Sequence, residues 1–288
     1  MRAWLTGSTR HIQPEWFICQ FMYDSLYLTL GSPFAGVSPW AIAGIAVIYF
    51  ICFAARGAIG FGALAPAVTF TSWLIPPHHA VLLAVIAATI PQLQLLPESY
   101  RGTDWQVARP VILAVAIPTV IGTWIFAQIS GDLLTAILGF VISAVVVLDA
   151  FKLLDRLVTR IDIRSPFVAF GLATLTGFIN GIAGAGGMIA LMVYFKHACR
   201  DHLSLRATTI FIGTILLCYR FALTFVAGMV DLTLLVESAL MLPIVYLGVW
   251  LGMRFTGTIS PKRYHTILTT VLLISALGLL LEGLLRLI

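Results

Sequence analysis

From residue 39 onward the chain is organised as long apolar runs separated by short polar breaks. Runs of this length with almost no charge read as helices that cross a bilayer, which takes about 20 residues each. The pattern predicts elements at 39–57, 62–76, 79–97, 106–128 and 131–152, and again at 166–182, 186–196, 205–227, 233–253 and 264–287. The second member of each series is short and follows a glycine-rich break. Ten-residue segments of alternating apolar and polar residues are absent, which excludes a β-barrel.

The two series are one series repeated at an offset of about 124–126 residues. Gly57, Gly60 and Gly62 answer to Gly181, Gly184 and Gly186. Gly102 and Asp104 answer to Gly228 and Asp231, and Gly122 and Trp124 answer to Gly248 and Trp250. The expected organisation is an N-terminal arm (1–36), a first membrane repeat (37–152), a cytoplasmic linker (153–165) and a second membrane repeat (166–288). The arm holds Arg2, Arg10, Glu15 and Asp24 beside aromatic residues. It lacks the apolar core and cleavage pattern of a signal peptide and reads as an interfacial helix.

Charge then sets orientation. If the short element turns back as a hairpin, each half has five elements and the halves are inverted. Loops 98–109, 153–165, 196–206 and 254–263 then share one side and, with their edges, hold Arg101, Arg109, Lys152, Arg156, Arg160, Arg164, Lys196, Arg200, Arg206, Arg254, Lys262 and Arg263. The opposite loops, 76–79, 129–132 and 228–232, hold no Lys or Arg. Counting each broken helix as one crossing would split the basic residues evenly between the faces. The preference for positive residues on the cytoplasmic side therefore favours inverted repeats. The fold class expected is an all-α polytopic membrane protein made of two homologous halves, inverted, each of about five helical elements with glycine-rich helix breaks.

Composition agrees. Only 10% of residues are charged, against about 25% in soluble domains. The net charge of +5 sits at the ends of apolar runs, so it argues for topology and not for nucleic acid. Cys19, Cys52, Cys199 and Cys218 are scattered and read as packing residues. No metal-ligand spacing, phosphate loop, nucleophile elbow or catalytic pair is present, and no cofactor is expected. The six histidines fall in the arm, in loops or at span ends.

Two arginines break the apolar pattern. Arg56 lies at the first glycine break and Arg220 inside IFIGTILLCYRFALTFVAG. A charge at the bilayer centre costs about 2.5–3.5 kcal/mol on insertion scales. Neither segment carries a nearby acid, so a small anion is the partner the sequence points to. The repeat aligns Arg56 with Asn180 and Gln94 with Arg220, one arginine and one amide per half. The expected binding set is Arg56, Gly60, Gly62, Gln94, Asn180, Gly184, Gly186 and Arg220, with Gln92, Thr208, Thr209 and Tyr219 on the same elements. Each has a plainer reading: arginines snorkel, amides bridge helices, and glycines let helices approach closely. Gly139, by contrast, reads as an ordinary glycine in an unbroken helix. Glu237 is the acid best placed within a span, as an interfacial carboxylate or a proton-coupling group.

The stretches GAIGFGALAPAV (57–68) and GFINGIAGAGGMIAL (177–191), TDW (103–105), the GTWIF and GVWLG turns and FAQISGDLLTAILGFV (126–141) resemble the TauE/SafE family of sulfite and organosulfonate exporters. The resemblance spans residues 40–287. It departs from the usual pattern at Gly62–Ala63, where a further glycine is common, and in having Arg56 at the first break. It implies a transporter of sulfur-containing or carboxylate anions in the bacterial cytoplasmic membrane, with a small anion and the bilayer as partners and a homodimer left open. The function expected is secondary transport of such an anion by alternating access, the anion held by the two intramembrane arginines. The alternatives are an anion channel and a membrane subunit of a larger complex.

Overall fold

The computed structural model describes residues 33–59, 63–150, 166–254 and 261–287. Gly60, Gly62, the 153–165 linker and residues 1–32 of the arm lie outside them. The described residues form eleven helices and no strand. The first half comprises α1 (Pro39–Ile59), α2 (Leu64–Thr71), α3 (Pro77–Gln94), α4 (Leu96–Gly102), α5 (Trp105–Gln128) and α6 (Gly131–Ala150). The second comprises α7 (Pro166–Ala183), α8 (Met188–Ala198), α9 (His202–Val226), α10 (Leu232–Arg254) and α11 (Pro261–Leu287).

Local chemistry marks the boundaries. Helices α1, α3, α7 and α11 open on proline, whose fixed φ suits a first turn that has spare N–H groups. Aspartates open three others: Asp104 accepts from Gln106 N, Asp201 from Ser204 N and Asp231 from Leu234 N. Asp104 and Asp231 are repeat mates, so both halves start their fourth element with the same cap. Five helices are long and apolar enough to cross a membrane, or six with the bent pair α3–α4. One face of α5 exposes Leu113, Ile117, Ile121 and Trp124, the stripe a lipid-facing helix presents.

Two expected elements change form. The element expected at 62–76 is helical only over Leu64–Thr71, about 12 Å of rise, too short for a 30 Å hydrocarbon core. The span expected at 79–97 ends at Gln94 and bends by 63° into α4. Pro91 inside α3 and Pro97 in the first turn of α4 cannot donate helix hydrogen bonds there.

Helix α3 is the axis of the bundle: every residue from Ala80 to Thr89 is buried. Around it the halves interlock reciprocally through glycines. Parallel helices α5 and α7 touch where a Cβ on Gly122 would lie 2.6 Å from the Phe178 carbonyl, and one on Gly177 would lie 2.6 Å from that of Val115. Parallel helices α1 and α10 touch in the same manner, Gly248 against Phe50 and Gly57 against Val249. Helices α6 and α11 run antiparallel, with Gly139 against Leu280 and Gly283 against Ala136, and Arg286 closes their ends on Asp132 at 3.5 Å. Gln92, late in α3, bonds the Ile210 carbonyl early in α9 at 3.2 Å. Arg220, late in α9, sits with Val81 and Val85, early in α3, beside Gly184, so these repeat mates also run antiparallel. The start of α3 meets the end of α5 through His78–Phe126 and the start of α10 through His79–Glu237.

The bundle therefore has two unlike ends. The starts of α5, α9 and α11 and the ends of α4, α8 and α10 gather Arg101, Arg109, Lys196, Arg200, Arg206 and Arg254. The starts of α3, α6 and α10 and the end of α11 gather Asp132, Asp231, Glu237 and Glu282, with Arg286 the basic residue there among the described residues.

Gly139 is thus not the ordinary helix glycine its sequence context suggests. A Cβ there would stand 2.3 Å from the Leu280 backbone nitrogen, while one on Gly171 meets nothing within 4 Å. Gly139→Ala is expected to cost about 1–3 kcal/mol through forced separation of α6 and α11. Gly171→Ala is expected to be neutral or mildly stabilising, by up to about 1 kcal/mol. Melting temperatures of the purified variants in detergent check both; an unshifted Gly139→Ala would mean the α6–α11 contact is looser than described.

Candidate functional site

The second glycine break builds the most unusual environment in the molecule. Helix α7 ends at Ala183. Gly184 and Gly186 follow with φ of +70° and +89°, a region closed to most L-residues, so glycine is required for the chain to leave the helix this way. Thr176 holds the far side of the turn, its hydroxyl donating to the Gly187 carbonyl at 2.9 Å. The chain then returns as α8, whose Met188–Ala198 helix is again too short to cross a membrane.

Arg220 reaches this break from α9 and is fully buried. Its Nη1 donates to the carbonyls of Asn180 and Gly181, and Nη2 to that of Ile182 at 3.4 Å. Its guanidinium lies 4.9 Å from the centroid of the Phe126 ring. No carboxylate pairs with it among the described residues. The partners are the last carbonyls of α7, where the helix dipole carries roughly half a negative charge. A full positive charge meets about half its complement, and the surplus is positive.

Two buried donors at this point have no acceptor: Arg220 Nε and Asn180 Nδ2. A Cβ on Gly184 would stand 3.6 Å from that Nε and 3.0 Å from Val81. The missing side chain leaves Nε open toward the break. Donors without acceptors, beside surplus positive charge, suit an oxyanion; water fills the hydrogen bonds but not the charge.

The remaining sequence-predicted residues distribute as follows. Arg56 is half-buried in the last turn of α1, 5.9 Å from the ring of Phe53 on its own helix, with no hydrogen bond or ion pair among the described residues. Its neighbour Gly57 packs on Val249, late in α10. Arg220 lies instead near the level where α10 begins, so the structure does not bring the two arginines together. They lie at different depths, roughly 10–15 Å apart along the bundle axis at 1.5 Å per residue. Gly60 and Gly62 fall outside the described residues. Asn180 joins Arg220. Gln94 is exposed at the α3–α4 bend. Gln92 is buried one turn from the basic end with its Oε1 unpartnered. Thr208 accepts from Asp104 N at 2.9 Å and Thr209 donates to the Leu205 carbonyl at 2.8 Å, so both serve the basic end. Tyr219 is half-buried next to Arg220 in sequence.

Phe126 and His79 join the functional residues only through the fold. Phe126 is one apolar residue among many, and its role under Arg220 has no sequence signal. His79, which reads as a span-end histidine, bonds Glu237 through Nε2 at 2.5 Å although 158 residues separate them. Glu237 is 2% exposed. Its second oxygen accepts from Phe34 N at 2.6 Å.

A family model described as sulfite exporter TauE/SafE matches residues 45–279. Among curated proteins, the chain is similar to a probable sulfite/organosulfonate exporter TauE of Cupriavidus necator, with 20% identity over 214 residues, covering 74% of this chain and 83% of that protein. No solved structure matches. The match runs from within α1 to within α11 and takes in both glycine breaks, both arginines and the capping aspartates of both repeats, so the chain belongs to the sulfite exporter TauE/SafE family and is a membrane transporter, not an enzyme.

Proposed function

We propose that the chain carries a small oxyanion of the sulfite or organosulfonate type across the bacterial inner membrane by alternating access, with Arg220 and Asn180 as its principal binding residues. The carrying observation is the pair of unpartnered buried donors, Arg220 Nε and Asn180 Nδ2, beside a guanidinium balanced only by helix carbonyls. Sulfite, sulfonates and carboxylates all carry the negatively charged acceptor oxygens that Arg220 Nε and Asn180 Nδ2 lack. Arg56, at the other break and nearer the basic end, is the second station. The anion passes between the two as the halves rearrange, and does not bridge both arginines at once.

Inverted repeats underlie this reading. Support comes from the antiparallel packing of repeat mates α3 with α9 and α6 with α11, and from the reciprocal pairs α1–α10 and α5–α7. The basic end is then cytoplasmic. Transporters of this class bind substrate at broken helices near the repeat interface. A channel fits less well: between the levels of the arginines the core is filled by Tyr49, Phe53 and the buried run of α3, with no continuous polar lining among the described residues.

Asn180 gives the cleaner test of the site, because its amide nitrogen donates to no protein group. Asn180→Ala is expected to leave melting temperature within a few degrees of wild type and to weaken binding of sulfite or methanesulfonate by about tenfold or more, the loss of a hydrogen bond to a charged ligand. Arg220→Ala is expected to abolish binding and also to destabilise, since it strips three helix carbonyls of their donor; Arg220→Lys recovers charge but not the fork. Ligand affinity by calorimetry on purified protein decides. Wild-type affinity in folded Asn180→Ala and folded Arg220→Lys would remove the site.

Topology has its own check. In intact cells, single cysteines replacing Gln106 and Ser204 are expected to be shielded from a membrane-impermeant maleimide, and one replacing Gly228 to react. Labelling of Ser204→Cys and Gly228→Cys from the same side would overturn the inverted arrangement.

A further inference from the structure

The two ends of the bundle differ in one buried feature that the repeat does not duplicate. Glu237 lies in the second turn of α10, 2% exposed, and its carboxylate is held by His79 Nε2 at 2.5 Å and by Phe34 N at 2.6 Å. The side chain of His79 is 36% exposed, so the imidazole joins a buried carboxylate to the aqueous edge of the bundle. At the repeat offset of 126 the mate of Glu237 is Val111, 1% exposed in an apolar cluster, and the mate of His79 falls within Leu203–Leu205. At these positions the opposite end has no carboxylate and no imidazole; its own buried acid, Asp104, with a side chain 7% exposed, faces the Arg200 guanidinium at 3.8 Å, where this end has a histidine. Two halves related by inversion give a molecule the same device at both faces. A transporter that uses a gradient with a direction needs a difference between faces, and this is the titratable one.

We infer that the His79–Glu237 pair is a proton-binding site linked to the anion site at Arg220, so that proton and anion each strengthen the binding of the other. The inference rests on the reading of Arg220 as the anion site. The geometry makes the link direct. His79 and the residues that flank the open Nε of Arg220, Val81 and Val85, lie on the same buried stretch of α3. Along the helix rise, the carboxylate and the guanidinium are on the order of 10 Å apart. With one proton, the pair is neutral overall, as carboxylate with imidazolium or as acid with imidazole. Without it, the pair carries a unit negative charge that repels an anion at Arg220. At an effective permittivity of about 20, a unit charge at roughly 12 Å changes affinity by about tenfold. Reciprocity requires anion binding to favour proton uptake by the same factor. The sign follows: anion affinity is highest at low pH, where the pair holds its proton, and falls as pH rises.

Other titratable groups on the surrounding elements must be separated from the pair. His78 on α3 bonds the Phe126 carbonyl and lies tilted against its ring, which places it toward α5 and close to Arg220. Asp231 caps α10 six residues before Glu237. Tyr49 and Cys52 lie deeper on α1, and Arg56, Tyr246 and Arg254 sit toward the far end of their helices. Among the described residues, His79 is the side chain bonded to the Glu237 carboxylate.

The test is the affinity of the full-length purified protein for methanesulfonate, whose own charge is constant between about pH 5 and pH 8. Wild type is expected to bind more weakly by about tenfold across that range. The double variant His79→Gln/Glu237→Gln keeps an acceptor for Phe34 N and removes both groups that can hold the proton, so it is expected to bind at the wild-type low-pH level with no pH dependence. His78→Gln is expected to keep the wild-type slope. A slope retained in the double variant, or lost in His78→Gln alone, overturns the inference. If the double variant fails to fold, wild type still decides: calorimetry in two buffers of different ionisation enthalpy is expected to show proton uptake on binding, and none at any pH would overturn it. Methanesulfonate binding that is flat with pH overturns the proton link and leaves the Arg220 site standing; absence of sulfite and methanesulfonate binding at every pH overturns both.

Discussion

A fully buried guanidinium with no acid beside it is the constraint on which the rest of this structure turns. Arg220 is held by the carbonyls of Asn180, Gly181 and Ile182 in the last turn of a helix that stops for it. Those carbonyls can accept from it because α7 ends at a glycine break, where, among the described residues, Gly184 N alone still reaches back, to Asn180, and the break exists because Gly184 and Gly186 take positive φ. In water the same carbonyls would be solvated. In a bilayer they must find a donor within the protein, and the arginine must find acceptors. Each solves the other's problem in hydrogen bonds but not in charge, since a helix terminus offers about half a charge. A surplus that a bilayer cannot solvate is the physical basis for the anion site proposed at Arg220.

Close helix approach is the second constraint, because it is what brings α9 to that break. Transmembrane helices gain little from the hydrophobic effect against one another, so contact area between backbones matters. Gly122 with Gly181, Gly57 with Val249, and Gly139 with Leu280 each put one helix directly against the backbone of another. The first two pairs are equivalent under the repeat: the glycine of each fourth element, or the residue next to it, meets the break glycine of the opposite half. Each break is thereby braced by a helix from the other half, which makes the interface between halves and the neighbourhood of the arginines one structure.

The charge at the ends carries a separate message from the charge within. The basic loops gather at one end, and Asp132, Asp231, Glu237 and Glu282 at the other. Exposed members of either group contribute little to stability in water. Glu237 differs because it is buried and bonded on both oxygens. A pattern that repeats in the backbone but not in this pair means that a nearly symmetric frame holds an asymmetric device.

The sequence by itself determined that the protein is helical and lives in a membrane, because hydropathy over twenty residues reports the solvent directly. It showed the recurrence of glycines and of Asp104 and Asp231, and the family, since these are read from local spacing and order. Arg56, Arg220 and Asn180 stood out for the same reason: a polar group in an apolar run is a local anomaly. Only the tertiary structure decided what each one touches. That Arg220 spends two of its nitrogens on α7 carbonyls, that Arg56 lies at another depth, that Gly139 is a contact and that His79 meets Glu237 across 158 residues are all facts about packing between helices distant in the chain. Hydrophobic periodicity cannot specify such contacts, because in a bilayer the lipid-facing and protein-facing sides of a helix are equally apolar. The short α2 and the bend after Gln94 escaped for a related reason: hydropathy counts apolar residues, and it does not record whether their backbone continues as one helix.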